Sequence, residues 1–199
     1  PVQWVLRHDR GRSYAGTVGG GPLRPGDPVL VLPGGQLTTV RAVTTYDGSL
    51  EEAAVGMSVS VDLEDDIDVS RGDLIASAEE PPLVTSELEA TVCWFGTRPL
   101  RAGDRLRVKH TTRVAPARVE TVLSRFDVNH LALVEADGLF DNEIGVVRLV
   151  TGIPLAVDPY RTNRVTGSFV LVDEVTNATL AACMVGAPPL AETPIHLVR

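Results

Sequence analysis

Hydrophobic positions along the chain recur with a period of two, in short β-branched runs cut every few residues by glycine, proline or aspartate. Val59, Val61 and Leu63 alternate with Ser58, Ser60 and Asp62, which is the pattern of a strand with one face in a core. Val2 to Leu6 and Ser13 to Val18, joined across the polar His8-Asp9-Arg10-Gly11, predict a hairpin. Val29 to Leu32 stops at Pro33-Gly34-Gly35, where proline removes a donor and glycine removes stiffness. Thr38 to Thr45 is a further strand, and Asp47-Gly48 after it signals a tight turn. In the second half Leu88 to Phe95, Arg105 to His110, Ile144 to Val150, Phe169 to Val172 and Leu180 to Val185 read as strands, and Val114 to Phe126 as one long or bent strand interrupted at Pro116. Phe126 to Asp141 admits either a short strand or a helical turn. No stretch carries three turns of helical periodicity, so an all-β fold is expected.

One unit occurs twice. LRPGDPVLV, from Leu23 to Val31, returns as LRAGDRLRV from Leu100 to Val108. The interval is too long for a solenoid repeat and suits two small β-barrels in tandem. The expected domains are barrels over residues 1–79 and 83–186, divided at the acidic, double-proline stretch Ala78-Glu79-Glu80-Pro81-Pro82, with 187–199 as a tail or linker.

Composition narrows the function. The net charge of −8 repels phosphate backbones, which makes a nucleic-acid partner unlikely. No apolar run has the length of a membrane-spanning helix. Cys93 and Cys183 are the only cysteines, a usage that fits a reducing compartment, so a cytoplasmic location is expected. Pro1 in place of an initiator Met reads as a cut inside a longer chain. Gly19-Gly20-Gly21 lacks the Lys and the following helix of a phosphate loop, and reads as a strand break. Glu64, Asp65, Asp66 and Asp68 lack the Gly and Glu spacing of a calcium loop, since Arg71 and Ser77 stand where these belong. Arg71-Gly72-Asp73 and Asn177-Ala178-Thr179 read as plain turns. His8, His110, His130 and His196 share no metal-ligand spacing with one another or with the cysteines. No catalytic, cofactor-binding or metal-ligating residue is expected in this chain. Two basic clusters remain, Lys109-His110 with Arg113, and Arg161 with Arg164. Arg113, Arg161 and Arg164 are the candidate contacts for an acidic partner surface or a phosphate; the competing reading is solvated loop charge.

The stretch GRSYAGTVGGGPLRPGDPVLVLPGG, from Gly11 to Gly35, resembles the second domain of translational-type GTPases such as elongation factor Tu. DDIDVSRGDLI (Asp65 to Ile75), VCWFGTRPLRAGDRLRVKHTTR (Val92 to Arg113), NEIGVVRL (Asn142 to Leu149) and YRTNRVTGSFVLVDEVTNAT (Tyr160 to Thr179) together resemble the large, GTP-hydrolysing subunit of bacterial sulfate adenylyltransferase. The resemblance implies the two translation-factor-like barrels that follow that subunit's nucleotide-binding domain. It implies an enzyme that makes adenylyl sulfate and pyrophosphate from ATP and sulfate, driven by GTP hydrolysis. The implied partners are the small catalytic subunit and the chain's own N-terminal GTPase domain; GTP and Mg belong to that domain. None of its phosphate, magnesium or guanine motifs occurs here, so this chain alone is expected to be inactive. An adenylyl-sulfate kinase domain follows in some members of the family. Two rival readings stay open: a tRNA-binding barrel fragment of a translation-factor GTPase, and a free-standing barrel pair.

Overall fold

A computed structural model describes residues 1–9 and 11–186. The expected tail at 187–199, with His196, lies outside the described residues. Those residues form two compact units: Pro1–Val84 with Thr111–Arg113 and Leu155–Asp158, and Thr85–His110 with Val114–Pro154 and the described residues from Pro159 on. Among the described residues there are strands and no helix.

The first unit is built on β1 (Val2–His8), β2 (Gly11–Thr17), β3 (Pro28–Leu32), β4 (Gln36–Thr45), β5 (Gly48–Leu50), β6 (Ser58–Leu63) and β7 (Leu74–Ser77). Neighbours run β1-β2-β6-β4-β3-β7, with β5 hydrogen-bonded to β4. The two ends of this order meet at Val2, whose N–H donates to Asp73 O (2.8 Å) while Gly72 N–H donates to Val2 O (3.1 Å). Alternation then fills the interior with Val29, Val31, Val40, Val43 and Val61.

The second unit uses β8 (Leu83–Trp94), β9 (Leu100–Arg101), β10 (Arg105–His110), β11 (Arg113–Asp127), β12 (Ala132–Val134), β13 (Gly138–Leu139), β14 (Ile144–Val157), β15 (Ser168–Val172) and β16 (Thr179–Val185). The order β10-β15-β16-β8-β14-β11 closes on itself through a β10–β11 pairing, giving a six-stranded barrel; β12 extends β11, and β9 pairs β13. Trp94, Leu106, Val108, Val119, Leu149 and Leu171 are fully buried inside it. The Trp94 indole N–H donates to Arg98 O at 2.9 Å, so its polar edge costs nothing.

Three local expectations change. β8 begins at Leu83, five residues before the hydrophobic run that announced it. β11 is irregular between Val119 and Thr121 and between Val122 and Ser124, not at Pro116. The proline ring faces out against Gly152, where an added Cβ would come within 2.8 Å of the ring, so the glycine leaves room for it. The ambiguous segment resolves as β12, with Leu133 opposite Phe126.

The repeated Leu-x-x-Gly-Asp unit is one turn made the same way each time. Arg24 N–H and Arg101 N–H each donate to the aspartate three residues on, both at 2.8 Å. Asp27 and Asp104 N–H return a bond to the first residue's carbonyl, and Gly26 and Gly103 sit at φ +93 and +91. The glycine N–H and aspartate carbonyl then pair with Val40 in one copy and Val119 in the other. The structure contains this turn three more times, at Ser70–Asp73, at Ala54–Met57 and at Phe140–Glu143. They pair with Val2, Val18 and Trp94 respectively. Met57 offers sulfur and Glu143 a carboxylate in place of aspartate, and Asn142 takes the left-handed position at φ +63. Each turn therefore joins its own ends to a neighbouring strand, which is how short strands keep register without a helix to brace them.

Candidate functional site

The polar mouth of the first unit holds a cleft of about 580 Å³. Its floor is Tyr14 and Leu63, and its rim carries Arg7, Arg12, Arg41, His8 and Glu64 to Asp66. Arg12 holds Asp66 at 2.9 Å and Asp68 at 3.3 Å, and the nearby Asp66 charge is the main reason its guanidinium holds its proton more firmly than usual. Burial pushes the Tyr14 phenol up, and its O–H donates to Ile67 O at 3.0 Å. Asp65 accepts from the Thr38 hydroxyl at 2.8 Å. These bonds tie the acidic run to the barrel, while the Asp66 and Asp68 side chains stay in solvent, 83% and 91% exposed.

Behind the rim, the Ser13 hydroxyl donates to one Asp62 oxygen, and His8 Nε2 lies 2.9 Å from Ser13 Oγ. Arg41 reaches the other Asp62 oxygen at 3.2 Å. A hydroxyl has one proton, and Ser13 gives it to Asp62, so His8 Nε2 is the donor in its own contact. That polarity is the reverse of a serine activated by a histidine base. The network orders the hairpin and offers charged groups to a ligand; it does not build a nucleophile.

The three candidate contact arginines take different positions. Arg113, counted with the first unit, pairs with Asp73, and its Nε–H donates to Gly72 O at 2.8 Å. Its side chain is only 17% exposed. Arg161 and Arg164 stand exposed on the loop between β14 and β15 in the second unit. That loop is held from within: Thr162 and Asn163 N–H donate to Pro159 O, and Gly167 N–H to Asn163 O at 2.8 Å. A Cβ at Gly167 would lie 2.5 Å from Asn163 O and from Tyr160 Cα, so only glycine fits. Buried His110 anchors the loop through Nε2 at 2.7 Å from Thr166 O. Arg164 lies over the Tyr160 ring, 5.9 Å from its centroid. Lys109, His110 and Arg113 are therefore neighbours in sequence only: Lys109 faces out, His110 in, and Arg113 toward Asp73.

Arg71-Gly72-Asp73 is a turn, as its sequence suggested, with Arg71 donating to Gln3 O at 2.7 Å. So is Asn177, at φ +59. Cys183 and Cys93 lie on opposite faces of paired strands, Cys183 opposite Val92 and Cys93 opposite Ala182. Burial pushes the Cys183 thiol far up, so it stays protonated and inert. Among the described residues no three His, Cys, Asp or Glu side chains gather as a metal site. The glycine-rich stretch Gly19-Gly20-Gly21 opens no helix.

The comparisons agree with the barrels. A Mycobacterium tuberculosis protein named bifunctional enzyme CysN/CysC is 47% identical over 98% of this chain and 33% of its own length. One of the same name from Rhodopirellula baltica is 43% identical over 93% of the chain and 29% of its own length. Sulfate adenylyltransferase subunit 1 of Laribacter hongkongensis is 45% identical over 93% of the chain and 39% of its own length. The chain thus spans well under half of these relatives, and the last is by its name one subunit of several. Sup35 complexed with GDP superposes with a TM-score of 0.82 at 21% identity, covering 94% of this chain and 46% of Sup35, and shares the fold. A family described as GTP-eEF1A C-terminal domain-like matches residues 87–186, the second barrel almost entire and half of the chain. The chain belongs to the GTP-eEF1A C-terminal domain-like family.

Proposed function

We propose that these barrels are the coupling portion of the GTP-hydrolysing subunit of a sulfate adenylyltransferase. The observation that carries this reading is 47% identity to a CysN/CysC enzyme across 98% of the chain, both barrels included. Among the described residues no carboxylates, histidines and cysteines gather as a metal site, which suits a connector better than a reaction centre. In this reading GTP and Mg bind a neighbouring N-terminal domain, the small catalytic subunit joins sulfate to the adenylyl group of ATP, and the barrels carry the nucleotide state of one to the other in the cytoplasm. Alone, the chain neither hydrolyses GTP nor forms adenylyl sulfate. Of the three expected contact arginines, Arg161 and Arg164 carry the proposal, because solvent reaches their side chains while the surrounding loop is fixed.

The rival reading, a barrel pair that delivers tRNA, draws on the Sup35-like fold, but at 21% identity this supports architecture alone. The net charge of −8 weighs against it. Titration calorimetry separates the two. The chain should bind the small catalytic subunit of sulfate adenylyltransferase and show no saturable binding of an aminoacyl-tRNA. Tight tRNA binding with no response to the subunit would reverse the assignment.

A further inference from the structure

One row of positive side chains on this acidic chain has no part in the function proposed above. Along β10, Leu106, Val108 and His110 point into the barrel, so Arg105, Arg107 and Lys109 all point out. On the adjoining β11 the outward residues are Val114, Pro116, Arg118 and Glu120. Four cations and one carboxylate thus share a face of two paired strands, in a chain of net charge −8.

Among the described residues none of the four cations meets a carboxylate, whereas Arg12, Arg24, Arg41, Arg98, Arg101, Arg113, Arg125 and Arg148 all do. Edge protection does not explain the stripe, because charges that blunt an edge sit on edge strands. Here β10 is bonded to β15 and β11, and β11 to β10 and β14, inside a closed barrel. Like charges repeated along one face of a strand repel, so the pattern costs the isolated chain something and returns it nothing.

Beside the cations two apolar side chains, Val114 and Pro116, also face outward. Val114 is half exposed, Pro116 lies against Gly152, and Arg118 stands opposite Val150 of β14. An apolar centre with a charged surround is the anatomy of a protein interface. A single-stranded nucleic acid would want aromatic rings for base stacking, and none is among these outward residues. We propose that the outer face of β10 and β11 docks a carboxylate-rich surface of a second, different protein subunit. The choice of a subunit partner rests on the function proposed above; the presence of a carboxylate-binding face does not.

The test uses the ¹⁵N-labelled chain and three probes: poly-L-glutamate, a single-stranded RNA oligonucleotide, and the small catalytic subunit of sulfate adenylyltransferase. Poly-L-glutamate should shift the amides of residues 105–109 and 114–118, less so as salt is raised, and the oligonucleotide should not. In R107E/K109E the apparent affinity for poly-L-glutamate and for the subunit should fall roughly tenfold. The neutral R107Q/K109Q should fall part of the way with an unchanged fold, read from its dispersed spectrum. Shifts that map elsewhere, affinities unchanged in both variants, tighter binding of the oligonucleotide to this face, or concentration-dependent pairing of the chain through it would each overturn the proposal. Mapping of poly-L-glutamate to the face with no binding of the subunit would support the face and sink the proposed function. Equal binding of the subunit to wild type and R107E/K109E would sink the face and keep the function.

Discussion

Arg113 and Arg164 show how differently one residue type can be used. The Arg113 guanidinium is mostly buried against Asp73 and Gly72, whereas Arg164 lies in solvent over Tyr160. Truncating Arg113 leaves Asp73, itself 15% exposed, with only the Ser70 N–H to satisfy it. Arg113→Ala should therefore lower the unfolding free energy by about 2–3 kcal/mol. Arg164→Ala should change it by less than about 0.5 kcal/mol, both read from urea titrations. Equal, small effects would mean that the Arg113 pair contributes nothing. The sequence could not separate these two arginines. A basic letter beside Lys109 and His110 suggests one patch, but strand alternation sends successive side chains to opposite faces, and Asp73 lies far upstream. The outward row Arg105, Arg107 and Lys109 was legible by the same period-two rule that found the strand β6 at Ser58–Leu63, had it been applied to charge as well as to hydrophobicity.

Turns are the element that the sequence half disclosed. Two copies were visible because both spell Gly-Asp after a leucine, and Arg71-Gly72-Asp73 carries the same letters in a shorter frame. The other two were hidden, since Met57 and the Asn142-Glu143 pair reach the same hydrogen bonds with different chemistry. Geometry repeats where spelling does not. Asp104→Ala should cost about 1 kcal/mol, because the Arg101 N–H loses its acceptor. At Asn142, held at φ +63, glycine should be accepted within about 0.5 kcal/mol, while valine, whose branched Cβ resists that region, should cost about 1–2 kcal/mol. Thermal unfolding of the two Asn142 variants checks this directly. Identical midpoints would show that the turn tolerates any residue and does not fix the register of Trp94.

For the whole molecule, the all-β class and the barrel architecture were readable from period-two alternation and the repeated turn, and the resemblance motifs pointed to a sulfate adenylyltransferase subunit, the name that a 45% identical relative carries. What sequence could not supply was closure: no local pattern says that β10, besides its hairpin partner β11, meets β15, or that β8 lies between β14 and β16. A closed barrel is stiff, and stiffness is what a connector needs. If the barrels transmit the nucleotide state of a GTPase domain, some surface of theirs must bind the partner differently in the two states, since equal affinity for both shifts nothing. The braced loop that presents Arg161 and Arg164 is the surface proposed for this, fixed in backbone and solvent-exposed at its charged ends. The decisive measurement, under the function proposed above, is the GTP hydrolysed per adenylyl sulfate formed by a GTPase subunit carrying these barrels, assembled with the proposed catalytic subunit, before and after Arg161→Ala with Arg164→Ala. If Arg161 and Arg164 carry the coupling, basal GTP hydrolysis stays unchanged and its acceleration during synthesis is lost; acceleration that survives both replacements would contradict this role.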